Sequence, residues 1–269
     1  MLSRCLYRHH TSFLSKMIPK TIHYCWFGGN PLPPLAQKCI ASWKKHLPDY
    51  EIKLWDEHNF DVNSIPYTTE AYKAGKYAFV SDYARFWILF HHGGVYFDTD
   101  VEVIRPIDDI IEKGPFMGCE READPNEPES SSGYQLWPAP GLGLACPPGL
   151  DIYAQFLDIY SNLHFKVASD GEKQLTIVNH TAELLCAHGL RNTSKIQLVA
   201  GIYIYPNDFF CPISPDTRRL HITDNTRTIH HFAASWMDKS FVHKLKDLVR
   251  AFIPESVLLW NNRRKRKAK

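Results

Sequence analysis

The sequence predicts an α/β fold in which helices flank a mixed, mostly parallel central sheet. Residues 21–27 and 51–55 are short runs rich in β-branched and aromatic side chains, which is typical of buried strands. Between them, residues 35–46 carry apolar side chains at helical spacing. A strand, a helix and a second strand in this order favour a parallel βαβ unit.

Length and composition limit the possible classes of protein. The chain has 269 residues, of which 44% are hydrophobic, so it can bury a substantial core. The net charge of +2 is too small to indicate a nucleic-acid partner. We predict an N-terminal extension over residues 1–16, one domain over residues 17–255, and a basic tail over residues 256–269. Seven scattered cysteines without a Cys-x-x-Cys pair predict reduced thiols and a cytoplasmic protein.

The later elements follow from periodicity and from turn residues. A helix that begins with Ser81 as its N-cap is expected to end at the two glycines that follow residue 92. Residues 120–135 are acidic and rich in proline and serine, which predicts a loop near the site. The other predicted elements are strands at 95–97, 101–104, 115–119, 202–205 and from 228, and helices at 107–113, 150–163 and 181–188.

The stretch around residues 81–103 carries the candidate chemistry. Asp82 and Arg85 lie one helical turn apart, so they share a helix face. Asp98 and Asp100 follow a very apolar strand, with Thr99 between them. Two carboxylates at the end of a strand can both reach one hard cation, and Mg²⁺ or Mn²⁺ prefers such oxygen ligands. The alternative is a solvated turn that contains two acids.

These residues also carry a resemblance to a known family. The block Ser81-Asp82-x-x-Arg85, followed by Gly93-Gly94-Val95-Tyr96-x-Asp98-x-Asp100-Val101, resembles the sugar-nucleotide glycosyltransferases with a DXD motif, family 32. That family includes bacterial capsular polysaccharide enzymes and fungal mannosyltransferases, and it is related to the glucosylating clostridial toxins. The resemblance extends from residue 17 to about residue 236. It implies a GT-A fold, a Mn²⁺ or Mg²⁺ cofactor and a nucleotide-sugar donor.

The resemblance also implies roles for individual residues. Asp98 and Asp100 would hold the metal, and Asp82 and Arg85 would bind the donor sugar and phosphates. These four residues form the predicted catalytic set. The remaining predicted donor-site residues are Trp26, which would stack on the base, Ser81, Thr99, Ser235 and Trp236. For Trp26 the alternative is packing in the core.

A late histidine completes the metal site in related enzymes. His231, which precedes an aromatic residue, matches that position best, and His230 is the alternative. Neutral imidazole is a suitable ligand beside two carboxylates. A hydrogen-bonded core histidine is the competing interpretation for either residue.

We therefore expect a metal-dependent glycosyltransferase. It would move a hexose from a nucleotide sugar, with a UDP-sugar expected, to a glycan or lipid-linked saccharide acceptor. The resemblance suggests retention of configuration and a role in polysaccharide biosynthesis. A GDP-mannose-dependent mannosyltransferase, a glycosidase and a non-catalytic sugar-binding module are the alternatives.

The C-terminal region suggests a membrane surface. Residues 241–252 form a basic amphipathic pattern, and six basic residues lie between 263 and 269. We expect peripheral contact with the inner face of a membrane, or alternatively a docked last helix with a solvated tail. No apolar run reaches the roughly 20 residues that a membrane span needs.

Overall fold

The computed structural model describes residues 17–167, 175–214 and 217–233. The predictions for residues 1–16, for Ser235 and Trp236, and for the basic helix and tail lie outside this part of the chain. Within it, the strands are β1 Thr21–Cys25, β2 Glu51–Trp55, β3 Gly94–Tyr96, β4 Val101–Val103, β5 Phe116–Gly118, β6 Leu144–Cys146, β7 Gln197–Val199, β8 Ile202–Tyr205 and β9 Thr228–His230.

The helices of the same described ranges lie between these strands. They are α1 Pro34–His46, α2 Pro66–Lys73, α3 Tyr77–His92, α4 Asp108–Ile111, α5 Asp151–Ser161, α6 Ile177–Ala187 and α7 Asn207–Phe210. A short 3₁₀ helix, Gly133–Leu136, lies in the acidic loop. None of the described helices has the length and apolar character that a bilayer-spanning segment needs.

The central sheet has the strand order β2-β1-β3-β6-β5-β8-β7. β1 pairs in parallel with β2 and β3, and β5 pairs in parallel with β8. β6 and β7 run in the opposite direction, so five of the seven strands share one direction. The sheet is therefore mixed and mostly parallel, and helices flank it, as the sequence predicts. This is the architecture that the resemblance to GT-A enzymes implies.

Helix α3 is the central helix of the molecule because almost every turn of it is buried. It packs against α2, α5 and the sheet. Phe86 of α3 stacks on Phe156 of α5 with ring centroids 4.1 Å apart. Buried aromatic pairs of this kind contribute about 1 kcal/mol of stability beyond that from the surface area they bury. This packing fixes the helix that carries Asp82 and Arg85.

A small second sheet forms one wall of the site. β4 and β9 are antiparallel, and Val101 lies opposite His230. Helix α1 packs against β4, and the indole of Trp43 donates a 2.7 Å hydrogen bond to the carbonyl of Val101. The sequence predicted both strands but could not show that they pair outside the main sheet.

Two predicted helix starts are wrong. Ser81 does not cap α3, which begins four residues earlier at Tyr77, and the Ser81 hydroxyl donates to the Tyr77 carbonyl at 3.2 Å. The helix extends because the intervening Phe79 and Val80 are buried against the core. Helix α6 begins at Ile177 rather than 181, because Thr176 and Asn179 form a capping box.

His23 is a buried structural residue at the centre of a hydrogen-bond network. It is 2% exposed on β1. The Trp55 indole N–H donates to its Nδ1 at 3.0 Å, so Nδ1 is unprotonated and Nε2–H donates to the Gly93 carbonyl at 3.0 Å. Burial lowers the pKa of His23 to about 4. The imidazole therefore joins β1, β2 and the end of α3 in its neutral form.

Candidate active site

The two acids of the Asp-x-Asp sequence occupy the turn between β3 and β4. The Asp98 N–H donates to the Gly141 carbonyl at 3.0 Å, and the Val101 N–H donates to the Asp98 carbonyl at 3.1 Å. Asp98 therefore leaves the main sheet and Asp100 enters the small sheet. Ligands of open α/β sheets bind beyond the carboxyl ends of strands, which is where this turn lies.

Arg85 connects helix α3 to this turn. Its guanidinium is 3.0 Å from Asp82 Oδ1 and 3.3 Å from Asp98 Oδ1, and its Nε–H donates to the Ser81 carbonyl at 3.1 Å. The Tyr96 hydroxyl donates to Asp98 Oδ1 at 3.2 Å. Both Asp82 and Arg85 are buried. The structure thus brings together three of the four residues predicted as catalytic.

Burial and neighbouring charges shift the pKa values of Asp82 and Arg85. Burial raises the pKa of Asp82 to about 7 even though the Arg85 guanidinium opposes that rise. For Arg85, burial alone would lower the pKa, but Asp98, Tyr96 and Asp82 outweigh it and raise the value. Arg85 therefore stays cationic at the wall of the site, and the pKa of Asp82 lies well above that of an exposed aspartate.

Gly141 is a part of the site whose role the sequence did not reveal. A Cβ atom at this position would overlap the Asp98 carboxylate and would lie 3.2 Å from Arg85 Nη1. Glycines in the apolar stretch of residues 141–146 are typical of a strand that a ligand or another backbone approaches closely. In the structure the approaching group at Gly141 is the carboxylate of Asp98 itself, so the absence of a side chain admits the acid.

Asp100 meets the imidazole of His230. His230 Nε2 is 3.3 Å from Asp100 Oδ1, and the Ala233 N–H donates to Asp100 Oδ2 at 2.8 Å. Burial alone would raise the pKa of Asp100, but His230 and these hydrogen bonds outweigh it and lower the value. Asp98, Asp100 and His230 each offer a ligand atom, and these atoms lie within 4.8 Å of one another.

The histidine predicted as the metal ligand is not the one at this cluster. His231 Nε2 lies 2.8 Å from Glu102 Oε2, and Lys38 contacts the same carboxylate. Successive side chains along a strand point to opposite faces, so only one of the two histidines can face Asp100. The pairing of Val101 with His230 selects His230, the alternative that the sequence left open.

The donor groups of this cluster fit a divalent metal. Two carboxylates and one imidazole are suitable ligands for Mn²⁺ or Mg²⁺, with further positions left for water or substrate oxygens. Nε2 of His230 is the ring nitrogen near Asp100, and its Nδ1 is buried without a hydrogen-bond partner among the described residues.

The other predicted donor-site residues have different environments. Trp26 is half-buried after β1, and its indole N–H donates to the Asn30 carbonyl at 2.5 Å. Trp26 packs against the core and is partly exposed, so base stacking stays a prediction. Thr99 is half-buried in the turn. The Ser81 hydroxyl is used inside α3, so its part in donor binding also stays a prediction.

Comparison with protein families places the site in a known region. Residues 33–117 match the model described as the glycosyltransferase sugar-binding region containing the DXD motif. The match covers α1 to β5, including Arg85, Asp98 and Asp100, and it excludes Trp26 and His230. The resemblance to this family is confirmed over residues 33–117, a shorter range than the predicted one from residue 17 to about residue 236.

Curated relatives are similar over the same part of the chain. Inositol phosphoceramide mannosyltransferase 1 of Schizosaccharomyces pombe is 29% identical over 37% of this chain and 33% of its own. The initiation-specific α-1,6-mannosyltransferase of Candida albicans is 30% identical over 45% of this chain and 36% of its own. The similarity therefore spans about a third of the length of these relatives.

A solved galactosyltransferase, LgtC in complex with donor and acceptor sugar analogues, aligns with 88% of this chain and 98% of its own. The identity is 12% and the TM-score is 0.40.

Proposed function

Because this chain contains the glycosyltransferase sugar-binding region with the DXD motif, we propose that it transfers a hexose from a nucleotide-sugar donor. The observation that carries the proposal is the convergence of Asp98, Asp100 and His230 within 4.8 Å, next to the guanidinium of Arg85. These groups surround one point with the charges that a nucleoside diphosphate and its metal need.

Each side chain has a distinct task in this proposal. Asp98, Asp100 and His230 hold the divalent ion, which when bound supplies positive charge to the departing diphosphate. Arg85 orients Asp98 and adds a second, permanent positive charge at the same wall. Asp82 accepts hydrogen bonds from hydroxyl groups of the donor sugar. Its buried position below Arg85 suits a neutral hydroxyl better than a charged group.

The reaction follows from these positions. The bond between the donor C1 and the diphosphate oxygen breaks, and the electron pair stays on the diphosphate. An acceptor hydroxyl oxygen forms the new bond to C1, and its proton leaves to the diphosphate or to water. We propose no enzymic nucleophile, because Asp98 and Asp82 are both engaged by Arg85. This is consistent with retention by departure and attack on one face.

The relatives favour mannose as the transferred sugar. Both curated relatives described above are named mannosyltransferases, one an inositol phosphoceramide mannosyltransferase and the other an initiation-specific α-1,6-mannosyltransferase. We therefore propose GDP-mannose as the donor, which was the alternative to the expected UDP-sugar. The proposed acceptor is a polyol-containing lipid or a glycan. The predicted link to bacterial capsule synthesis gains no support from these relatives. Cytoplasmic location and membrane contact stay proposals.

The competing functions are less consistent with the site. A glycosidase needs two carboxyl groups on either side of a sugar bond. Here Asp98 and Asp100 converge on one cluster together with His230, which favours a shared cation. A sugar-binding module would not need this cluster at all. Metal-dependent affinity for nucleotides therefore distinguishes a transferase from both alternatives.

A donor screen tests the proposal. Purified protein is incubated with GDP-mannose, UDP-glucose or UDP-galactose in Mn²⁺, Mg²⁺ or EDTA, and the released sugar is measured. We expect hydrolysis of GDP-mannose that requires the metal and that falls at least tenfold in Asp98→Asn and Asp100→Asn. The control Asp49→Asn changes an exposed aspartate far along the chain and keeps wild-type activity. Equal turnover in EDTA, or no turnover of any donor, would overturn the proposal.

A further inference from the structure

Glu120 lies at the end of β5, on the other side of one short segment from Asp98. The Glu120 N–H donates to the Trp137 carbonyl at 2.9 Å, and the Asp98 N–H donates to the Gly141 carbonyl at 3.0 Å. β3 and β5 point in the same direction with antiparallel β6 between them. Asp98 and Glu120 therefore each follow the carboxyl end of a strand, and the two strands point in the same direction. Residues 137–141 lie between the two acids.

The Glu120 side chain is half-buried and has no direct partner. In the described ranges of the chain, neither a hydrogen bond nor an ion pair reaches its carboxylate. Burial raises the pKa of Glu120, and His230, Arg121 and Arg218 oppose the rise from a distance. A carboxylate that is partly desolvated and unpaired is costly unless a ligand supplies donors.

The backbone around Glu120 is held in uncommon conformations. Four non-glycine residues in the described ranges have positive φ, and two of them are linked to Glu120: Trp137 at 53°, whose carbonyl accepts the Glu120 N–H, and Arg218 at 62°, whose charge acts on the carboxylate. A third, Phe232 at 51°, lies next to Arg218 and His230. The Arg218 guanidinium lies 4.9 Å from the Phe232 ring centroid, and the Phe232 ring lies 4.3 Å from that of His230. Backbone strain of this kind is concentrated at binding sites.

Asp82 and Glu120 have different charged neighbours. The charges that act on Asp82 are those of Arg85 and Asp98, on the α3 side. The charges that act on Glu120 are those of His230 at the end of β9, of Arg121 and of Arg218. The proposed donor sugar contacts Asp82, so the separate set of charged neighbours at Glu120 is suited to a hydroxyl group of the second substrate.

From this placement we propose that Glu120 binds a hydroxyl group of the acceptor, a saccharide or another polyol, beside the metal cluster. The proposal rests on the proposed function, because it assigns the second substrate of that reaction. An ionised carboxylate accepts hydrogen bonds from two hydroxyl groups and is a suitable contact for a sugar ring. Glu120 contributes only these hydrogen bonds. The covalent bonds that form and break are those of the transfer described under the proposed function.

The test compares Glu120→Gln with the control Glu122→Gln. Glu122 is a glutamate two residues further along the loop. It carries the same side chain as Glu120, but it is exposed rather than half-buried. The probe is methyl α-D-mannopyranoside, and its binding is measured by saturation-transfer NMR in the presence of GDP and Mg²⁺. Loss of a hydrogen bond to a charged group predicts a dissociation constant roughly 10- to 100-fold higher for the Glu120 variant, and a wild-type value for the control.

Calorimetry with GDP and with GDP-mannose separates the possible outcomes. We expect Glu120→Gln to bind both nucleotides, with Mn²⁺ present, within about twofold of wild type. If the variant loses affinity for GDP-mannose but not for GDP, the hydroxyl belongs to the donor and the proposal is wrong. Equal binding of the mannoside by variant and wild type, or no binding by either, also overturns it. Failure of wild type to bind GDP with metal would instead overturn the proposed function.

Discussion

Protonation of His23 should destabilise the fold in a defined pH range. In the native state Nδ1 accepts the Trp55 N–H and Nε2–H donates to the Gly93 carbonyl, so a second ring proton would face a donor. The change His23→Gln removes this titration. It keeps an amide that can reach the Gly93 carbonyl, and it leaves the fold of the neighbouring strands otherwise unchanged.

The magnitude follows from the pKa values of the two states. Burial, with smaller contributions from His92 and Lys53, lowers the pKa of His23 to about 4 in the folded protein despite the opposing hydrogen bond to Gly93, against an unfolded value of about 6.5. Between these values the unfolded chain binds more protons, so stability rises with pH across this window. Full protonation of the unfolded state below pH 4 removes about 3 kcal/mol relative to pH 7.

Chemical denaturation from pH 7 to pH 4.5 measures this effect. Wild type should lose up to about 1.4 kcal/mol per pH unit more than His23→Gln in the lower part of that range. The variant starts lower at pH 7, by about 1–3 kcal/mol, because the Trp55 indole N–H loses its acceptor. His188→Gln, at an exposed position, should keep the wild-type slope. Identical slopes for wild type and His23→Gln would refute the reasoning.

Three further predictions concern the site. Gly141→Ala should displace the Asp98 carboxylate, lower the free energy of unfolding by about 1–3 kcal/mol and weaken Mn²⁺ binding measured by calorimetry; unchanged metal affinity would contradict the contact. Arg85→Met should lower the free energy of unfolding in urea by about 3–5 kcal/mol, since it leaves the carboxylates of Asp82 and Asp98 without their cation. A loss below about 1 kcal/mol would argue against this ion pair. Trp26→Ala should raise the dissociation constant of GDP by about tenfold, through a lost stacking contact of about 1–3 kcal/mol, and leave that of Mn²⁺ alone unchanged.

Much of the architecture was predictable because local patterns determine it. The β1–α1–β2 unit follows from the apolar periods and turn residues, and the parallel pairing of β1 with β2 agrees. The turn with Asp98 and Asp100 at the end of β3 was predictable because an apolar strand leads directly into it. The partnership of Asp82 and Arg85 followed from helical spacing and is present at 3.0 Å.

Other features depend on contacts between distant residues and were not predictable in this way. The choice between His230 and His231 depends on which residue lies opposite Val101, and that register is a tertiary property. Helix α3 begins before Ser81 because Phe79 and Val80 are buried, so packing outweighed the capping signal. The role of Gly141 required knowledge that Asp98, 43 positions earlier in the chain, approaches it.

The binding of Mn²⁺ to His230→Ala and His231→Ala tests the central claim most directly. The two variants truncate consecutive histidines at the end of β9. Only His230 lies at the cluster with Asp98 and Asp100, whereas His231 contacts Glu102. Calorimetry should show Mn²⁺ affinity at least tenfold weaker in His230→Ala, with GDP binding weakened alongside it, and near wild type in His231→Ala. Wild-type Mn²⁺ affinity in His230→Ala would contradict the account.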